Sequence, residues 1–212
     1  MTTRTPAKAG RAWRVPAGLL LLGAVPVLAG AVRLVQLTAG ARVTPENARF
    51  FASPVPVVAH IIGASVFVVL GAFQFVPRLR RRSWHRVAGR LTVLCGVVAA
   101  LSGLWMTLFY PRPPGDGDLL AALRLVFGSG MAGALVLGFL AIRRRDVVTH
   151  RAWVMRGYAI GIGAGTQAVV TGLWTAVVGE AHGLVRTLLL GAGWVINLVI
   201  AEIIIRSRRG IR

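Results

Sequence analysis

The chain has 212 residues, of which 56% are hydrophobic and 15% charged, whereas a soluble domain carries about a quarter charged residues. Lys and Arg number 25 against 6 Asp and Glu, a formal net charge of +19, but the basic residues form short clusters between long apolar runs, which excludes a separate nucleic-acid-binding module. The single cysteine, Cys95, excludes an intrachain disulfide, has no metal-site spacing, and reads as a small buried hydrophobe.

A bilayer core of about 30 Å takes roughly 20 apolar residues of helix. In chain order, the first segment of that kind runs from about Val15 to Leu37, with Arg33 near its far end. The second runs from about Val55 to Val76 and the third from about Leu91 to Tyr110. The fourth, about Leu119 to Ile142, carries Arg124 in its first turns. The fifth spans about Gly157 to Val178, and the sixth, about Thr187 to Ile205, contains Glu202. The expected fold is an all-α polytopic transmembrane bundle of about six spans. A basic N-terminal stretch (1–14) precedes a single bundle (15–205), and a basic tail (206–212) follows it. Connections are short, so neighbouring helices should pack antiparallel.

Alternate loops differ sharply in charge. One set holds Arg4, Lys8, Arg11 and Arg14, then Arg78, Arg80, Arg81, Arg82, Arg86 and Arg90. It continues with Arg143, Arg144, Arg145, Arg151 and Arg156 and ends with Arg206, Arg208, Arg209 and Arg212, about 19 of the 25 basic residues. The other set holds Arg42, Arg49, Arg112, Arg124 and Arg186, with Arg33 at the end of the first helix, and most of the acids, Glu46, Asp116, Asp118 and Glu180. The positive-inside rule therefore places both termini in the cytoplasm. The basic start and the small residues Ala29, Gly30 and Ala31 also fit a cleaved signal peptide, but the apolar run is long for one, and the remaining topology is the same either way.

Two segments on the basic side share a pattern. FQFVPRLRRRSWHRVAGRL, from Phe73 to Leu91, and FLAIRRRDVVTHRAWVMRGY, from Phe139 to Tyr158, each pass from an arginine triplet to a His-Arg pair and then to a further Arg. His85, Arg86 and Arg90 form one set; His150, Arg151 and Arg156 form the other. They read as a weak internal repeat in which the second and third helices match the fourth and fifth. Both His-Arg pairs then lie near the inner headgroup boundary, with Trp84 and Trp153 suited to the interfacial aromatic belt.

The elements GAFQF…RRRSWHRVAGR and HRAWVMRGYA resemble those of bacterial membrane proteins grouped as domain of unknown function 2306, over roughly Val55 to Val178. The resemblance implies a polytopic membrane fold that keeps the second to fifth helices, and it implies no reaction.

The two His-Arg sets can be read in three ways. Their arginines can fork onto an anionic lipid headgroup or a small anion. His85 and His150 can ligate the iron of a b-type haem, with arginines on the propionates; a Soret band lost in His85→Ala or His150→Ala would mark that case. Otherwise the side chains snorkel at the interface and bond loop carbonyls. A second group lies within the spans. His60, Gly63, Ala64, Phe67, Gly71 and Gln74 share one helix face, small or polar enough to face protein. A histidine inside a span is an interhelical hydrogen bond, a proton relay or a ligand. Arg124 lies at comparable depth, and His182 in the last outer loop could reach the same cavity. Gly157, Gly161 and Gly165 permit close helix approach; Gln167 and Thr171 can bond across helices; Glu202 can pair with Arg206. No phosphate loop, HExxH motif or paired carboxylates occur, which argues against conventional enzyme chemistry. There is also no clear broken helix, though Gly161 to Gly165 is the best place for one. The leading expectation is a multi-pass protein of the bacterial cytoplasmic membrane, without nucleic-acid partners, whose basic rim binds an anionic headgroup or other small anion. The alternatives are a haem-binding electron carrier and a small proton-coupled transporter using His60, Arg124 and Gln167.

Overall fold

The computed structural model describes residues 7–76, 79, 83–113 and 115–209. The arginine triplet at 80–82, with Arg4, Arg78 and Arg212, lies outside the described residues. The described residues are helical, with no strand. Helix α1 covers Ala7–Thr38, α2 Ala48–Ala52, α3 Pro54–Gln74, α4 Ser83–Phe109, α5 Asp118–Arg143, α6 Val147–Gly161, α7 Gly163–Val177 and α8 Gly183–Arg209. Five of them are long and apolar enough to cross a membrane alone, and α6 with α7, bent by 40° at the break between them, are so only as a pair.

The apolar runs become spans because helix is the only open-chain conformation that pairs its own backbone groups in hydrocarbon. Local chemistry sets the ends. A proline in the first turn starts α3, where its missing N–H costs nothing. Asp146 caps α6 by accepting from the Thr149 amide at 2.9 Å. Helix α5 carries Asp118 in its first turn and Arg143 in its last, each matching the helix dipole. Helices α4 and α6 begin well before their apolar runs, so His85, Arg86, Arg90, His150 and Arg151 all lie on helix rather than in loops.

The main packing pairs are α3 on α4, α5 on α6, α4 on α5, α7 on α8 and α1 on α3. Helix α1 also meets α7. Glycine sets two of these approaches. A methyl group on Gly63 of α3 would stand 2.8 Å from the Cys95 carbonyl oxygen of α4. One on Gly165 of α7 would overlap the Leu22 carbonyl of α1. The expected glycine stripe therefore works differently from a single seam. Gly157 faces Leu135 of α5, Gly161 faces Phe67 of α3, and Gly165 faces α1, because the helix turns between them.

The two ends of the bundle are distinct. Trp13 of α1 meets Phe73 of α3 at 6.3 Å, and Arg156 of α6 bonds Glu202 of α8 at 2.5 Å, so the described starts of α1 and α6 share one end with the close of α8. The other end gathers α2, the α4–α5 loop and the start of α8. Between them lies a core of Phe67, Val68, Ala100, Met131, Leu135, Tyr158, Ile160 and Ile162. The buried Tyr158 hydroxyl donates to the Val68 carbonyl at 2.9 Å.

The break at Ile162 corrects the expectation of an unbroken fifth span. It falls within the Gly161–Gly165 stretch and is bonded to its neighbour. Asn197 of α8 donates to the Ala159 carbonyl at 3.1 Å and accepts from the Thr166 hydroxyl at 2.8 Å, so one buried amide joins both halves of the bent span. Asn197→Leu keeps the branched heavy-atom shape and removes both bonds. It is expected to lower unfolding stability by about 1–3 kcal/mol, checked by detergent-unfolding titration against wild type.

Candidate functional site

At the end where the described parts of α1 and α6 begin, each His-Arg set lies on the first turns of a helix. His150 Nδ1 is 2.8 Å from the Gly138 carbonyl, tying α6 to α5. Arg156 bonds Glu202 at 2.5 Å and lies 4.8 Å over the Trp153 ring. Glu202 is also 3.7 Å from Arg206 one turn on, the expected neighbour, but the shorter bond is to Arg156. His85 is half-buried, whereas Arg86, Arg90 and Arg151 are exposed. Arg145, in the α5–α6 turn, has φ +62°, a left-handed backbone usually left to Gly or Asn. Among the described residues no group of three His, Cys, Asp or Glu could hold a metal ion.

The intramembrane candidates are brought together differently. A cavity of about 440 Å³ enters the bundle from the other end. Exposed Pro111, Arg112 and Gly117 form part of its rim. His60, Arg124 and Gln167 all line it. Its floor is Phe67, Met131, Ile160, Gly161 and Ile162, at the break in the bent span. Gln74 is at the opposite end of α3 and is not on its wall. His182 is exposed, 3.7 Å from Glu180, and is also apart from it.

The bend makes this space. Both α6 and α7 pack on α8, but α6 packs on α5 and α7 on α1. Leaning α7 toward α1 leaves Ala121, Arg124 and Gly128 of α5 facing Ala164 and Gln167 of α7 across the cavity. On the α3–α4 wall, His60 Nδ1 is 2.8 Å from the Ala99 carbonyl, an interhelical bond that assigns the ring proton to Nδ1. The ring packs over Gly103, where a methyl group would stand 3.3 Å from it. Gln167 donates to the Leu190 carbonyl of α8 at 2.8 Å. Thr171 instead bonds the Gln167 carbonyl within its own helix, not across helices as expected.

The mouth holds residues that spacing alone did not mark as a site. The Asp116 side chain is 2% exposed. It accepts from Arg124 of α5 at 2.7 Å and from Arg186 of α8. Arg49 of α2 bonds the Pro111 carbonyl at 3.4 Å. Arg49 and Arg33 both lie over the Phe50 ring, at 4.6 and 4.7 Å. Tyr110 packs on Phe50 at 5.6 Å and donates to the Ser53 carbonyl at 2.5 Å. The loop before α2 is held by Asn47, which accepts from the Thr44 amide at 2.7 Å and donates to the Arg42 carbonyl at 3.1 Å. One signal could have found this cluster. An arginine inside a span demands a counter-ion, and Asp116 is the nearest acid upstream that can turn back toward Arg124.

Two guanidiniums, Arg124 and Arg186, thus hold one carboxylate, and Arg49 and Arg33 lie together on Phe50 nearby. Burial alone would raise the Asp116 carboxyl, but bonds to Arg124 and Arg186 and their charges outweigh it, and the group is held below the ordinary aspartate range. Partial burial lowers Arg49; Asp116 opposes this, and the charges of Arg124 and Arg33 add to the lowering. Arg49 remains a cation at neutral pH. Among the described residues it has no carboxylate within ion-pair reach, and neither has Arg33.

The family model described as predicted membrane protein (DUF2306) matches residues 57–205, from α3 to near the close of α8. No curated protein and no solved structure matches the chain.

The Asp116 network has a defined pH dependence. Its folded-state proton affinity is depressed, so its stabilisation is complete above the ordinary value of about 3.9 and is lost only as pH falls through the lower folded value. Melting temperature should therefore hold from neutral pH to about pH 5 and fall below that. Asp116→Asn should lose about 1–3 kcal/mol at pH 7, after allowance for the partly exposed arginines, and flatten the acid limb. Thermal unfolding of both proteins across pH measures this.

Proposed function

The chain belongs to the DUF2306 family of predicted membrane proteins, and we propose that this member is a transporter-type protein that takes a small, largely apolar molecule into the cavity between its spans. The observation that carries this reading is the cavity itself. It runs from a polar mouth to a break in a membrane span, and its volume of about 440 Å³ falls in the range of small-molecule sites. Its walls are mostly apolar, with a few convergent polar groups, His60, Gln167 and Arg124, which is how such sites orient a ligand. Broken helices at the membrane midplane are where transporters bind substrate and where their bundles rock. The core around Phe67 and Tyr158 closes the far side, so access in this conformation is from one end.

A second reading concerns the arginine-rich end and rests on the exposure of Arg86, Arg90, Arg143, Arg144 and Arg151 around the left-handed Arg145. By the positive-inside rule this end faces the cytoplasm, and its guanidiniums hold anionic headgroups of the inner leaflet. Retention of phosphatidylglycerol over phosphatidylcholine in native mass spectrometry should fall in a triple Arg→Gln variant of 143, 144 and 145. Equal retention of both lipids by wild type would remove this reading.

For the cavity, 8-bromooctan-1-ol is expected to quench a fluorescence component of the purified protein that Trp194→Phe removes, because Trp194 lies on the wall. Ala64→Phe, which projects into the space, should weaken that quenching about tenfold or more, while Val126→Phe on the exposed face of α5 should leave it unchanged. Proton flux into proteoliposomes that is the same in His60→Ala and wild type would rule out a relay through His60.

A further inference from the structure

The cavity mouth is built for charge of one sign. Arg33, Arg49, Arg124 and Arg186 come from four different helices, and among the described residues Asp116 is the one carboxylate ion-paired with any of them. Arg124 and Arg186 are taken up by Asp116. Arg49 lines the cavity and spends its guanidinium on a long bond to one carbonyl and on the face of Phe50. Arg33 shares the same ring and bonds Gln36 at 2.8 Å. Like charges so close repel unless an anion joins them, and Asp116 alone leaves the group with an excess of positive charge.

This excess sits at the top of an apolar wall. Below Arg49 and Arg124 the cavity descends past Ala64, Gly103 and Met106 to the Phe67 and Ile162 floor. A molecule that satisfies both parts has an oxyanion at one end and a hydrocarbon chain at the other. We infer that the ligand is a single-chain amphiphile with a carboxylate or similar oxyanion head, held between Arg49 and Arg124 with its chain toward the broken span. This inference rests on the cavity reading above and adds the charge class and the polarity of entry.

Guanidinium is suited to the task because it forks onto the two oxygens of a carboxylate, which a lysine ammonium cannot do. The head can compete for Arg124 without displacing Asp116, because Arg186 holds the other carboxylate oxygen of that residue. Phe50, packed on Tyr110, carries Arg49 and Arg33 on its ring, which holds Arg49 at the mouth.

The test compares two probes that share a tail, 8-bromooctanoate and 8-bromooctan-1-ol, on the full chain in neutral detergent at pH 8. The reading is the quenching component removed by Trp194→Phe. The carboxylate is expected to bind about tenfold or more tightly than the alcohol, the effect of charge-assisted hydrogen bonds at a partly buried site. Arg49→Gln should abolish that preference, bringing the carboxylate down to the affinity of the alcohol, and a wild-type-like circular dichroism melt shows that the variant is folded. Raised salt should weaken the carboxylate selectively. Equal affinity for the two probes, or a preference that survives both Arg49→Gln and Arg124→Gln, overturns the anion site and leaves the cavity reading standing. Failure of both probes to quench Trp194 overturns the cavity reading, and the anion site with it.

Discussion

Backbone polar groups that leave a helical ladder inside hydrocarbon must find partners within the protein. The bent span α6–α7 meets that demand with backbone bonds from the Ile162 amide to Tyr158 and from the Gly165 amide to Ile162, and with one buried side chain on the Ala159 carbonyl. Asn197 reaches from α8 to the Ala159 carbonyl before the break and accepts from Thr166 after it. Because the break is bonded, the two halves can hold different neighbours. The half before it lies on α5 and α8, and the half after it lies on α8 and α1. The cavity follows from that divergence, and its floor is the break.

The bundle is closed on one side of the break and open on the other for reasons of residue size. Toward the termini, Tyr158 fills the space against Phe67 and Phe75, at ring separations of 5.4 and 5.3 Å, and its hydroxyl spends itself on Val68. Toward the other end the facing residues are small, Ala64, Gly103, Ala121, Gly128 and Ala164 among them, and the volume they leave is not refilled. Charge follows the same division. The closed end displays arginines to its surroundings, whereas the open end turns them onto Asp116 and Phe50 around the mouth.

The histidines show how one residue type takes different work from its surroundings. His150 ties two helices at the rim through Gly138. His60 makes a similar bond to Ala99, but its ring lies on the cavity wall over Gly103, so the bond fixes its tautomer beside a space that can hold a ligand. His182, on an exposed loop, lies 3.7 Å from Glu180.

The sequence by itself determined the spans and the charge asymmetry of the two ends. Each apolar run must become helix whatever its neighbours do, and arginine clusters between runs are visible as they stand. It also marked His60, Arg124 and Gln167 as costly residues for a membrane interior. Even so, α4 and α6 start earlier than their apolar runs, because a helical turn rich in arginine carries no hydropathy signal. Only the tertiary structure decided which of these residues share a space. Arg156 meets Glu202 and Arg186 meets Asp116 across long stretches of chain, and no local period encodes such pairs. The break at Ile162 belongs to the same class: glycines permit it, but Asn197 of another helix bonds the Ala159 carbonyl before it, and the cavity floor lies at that break.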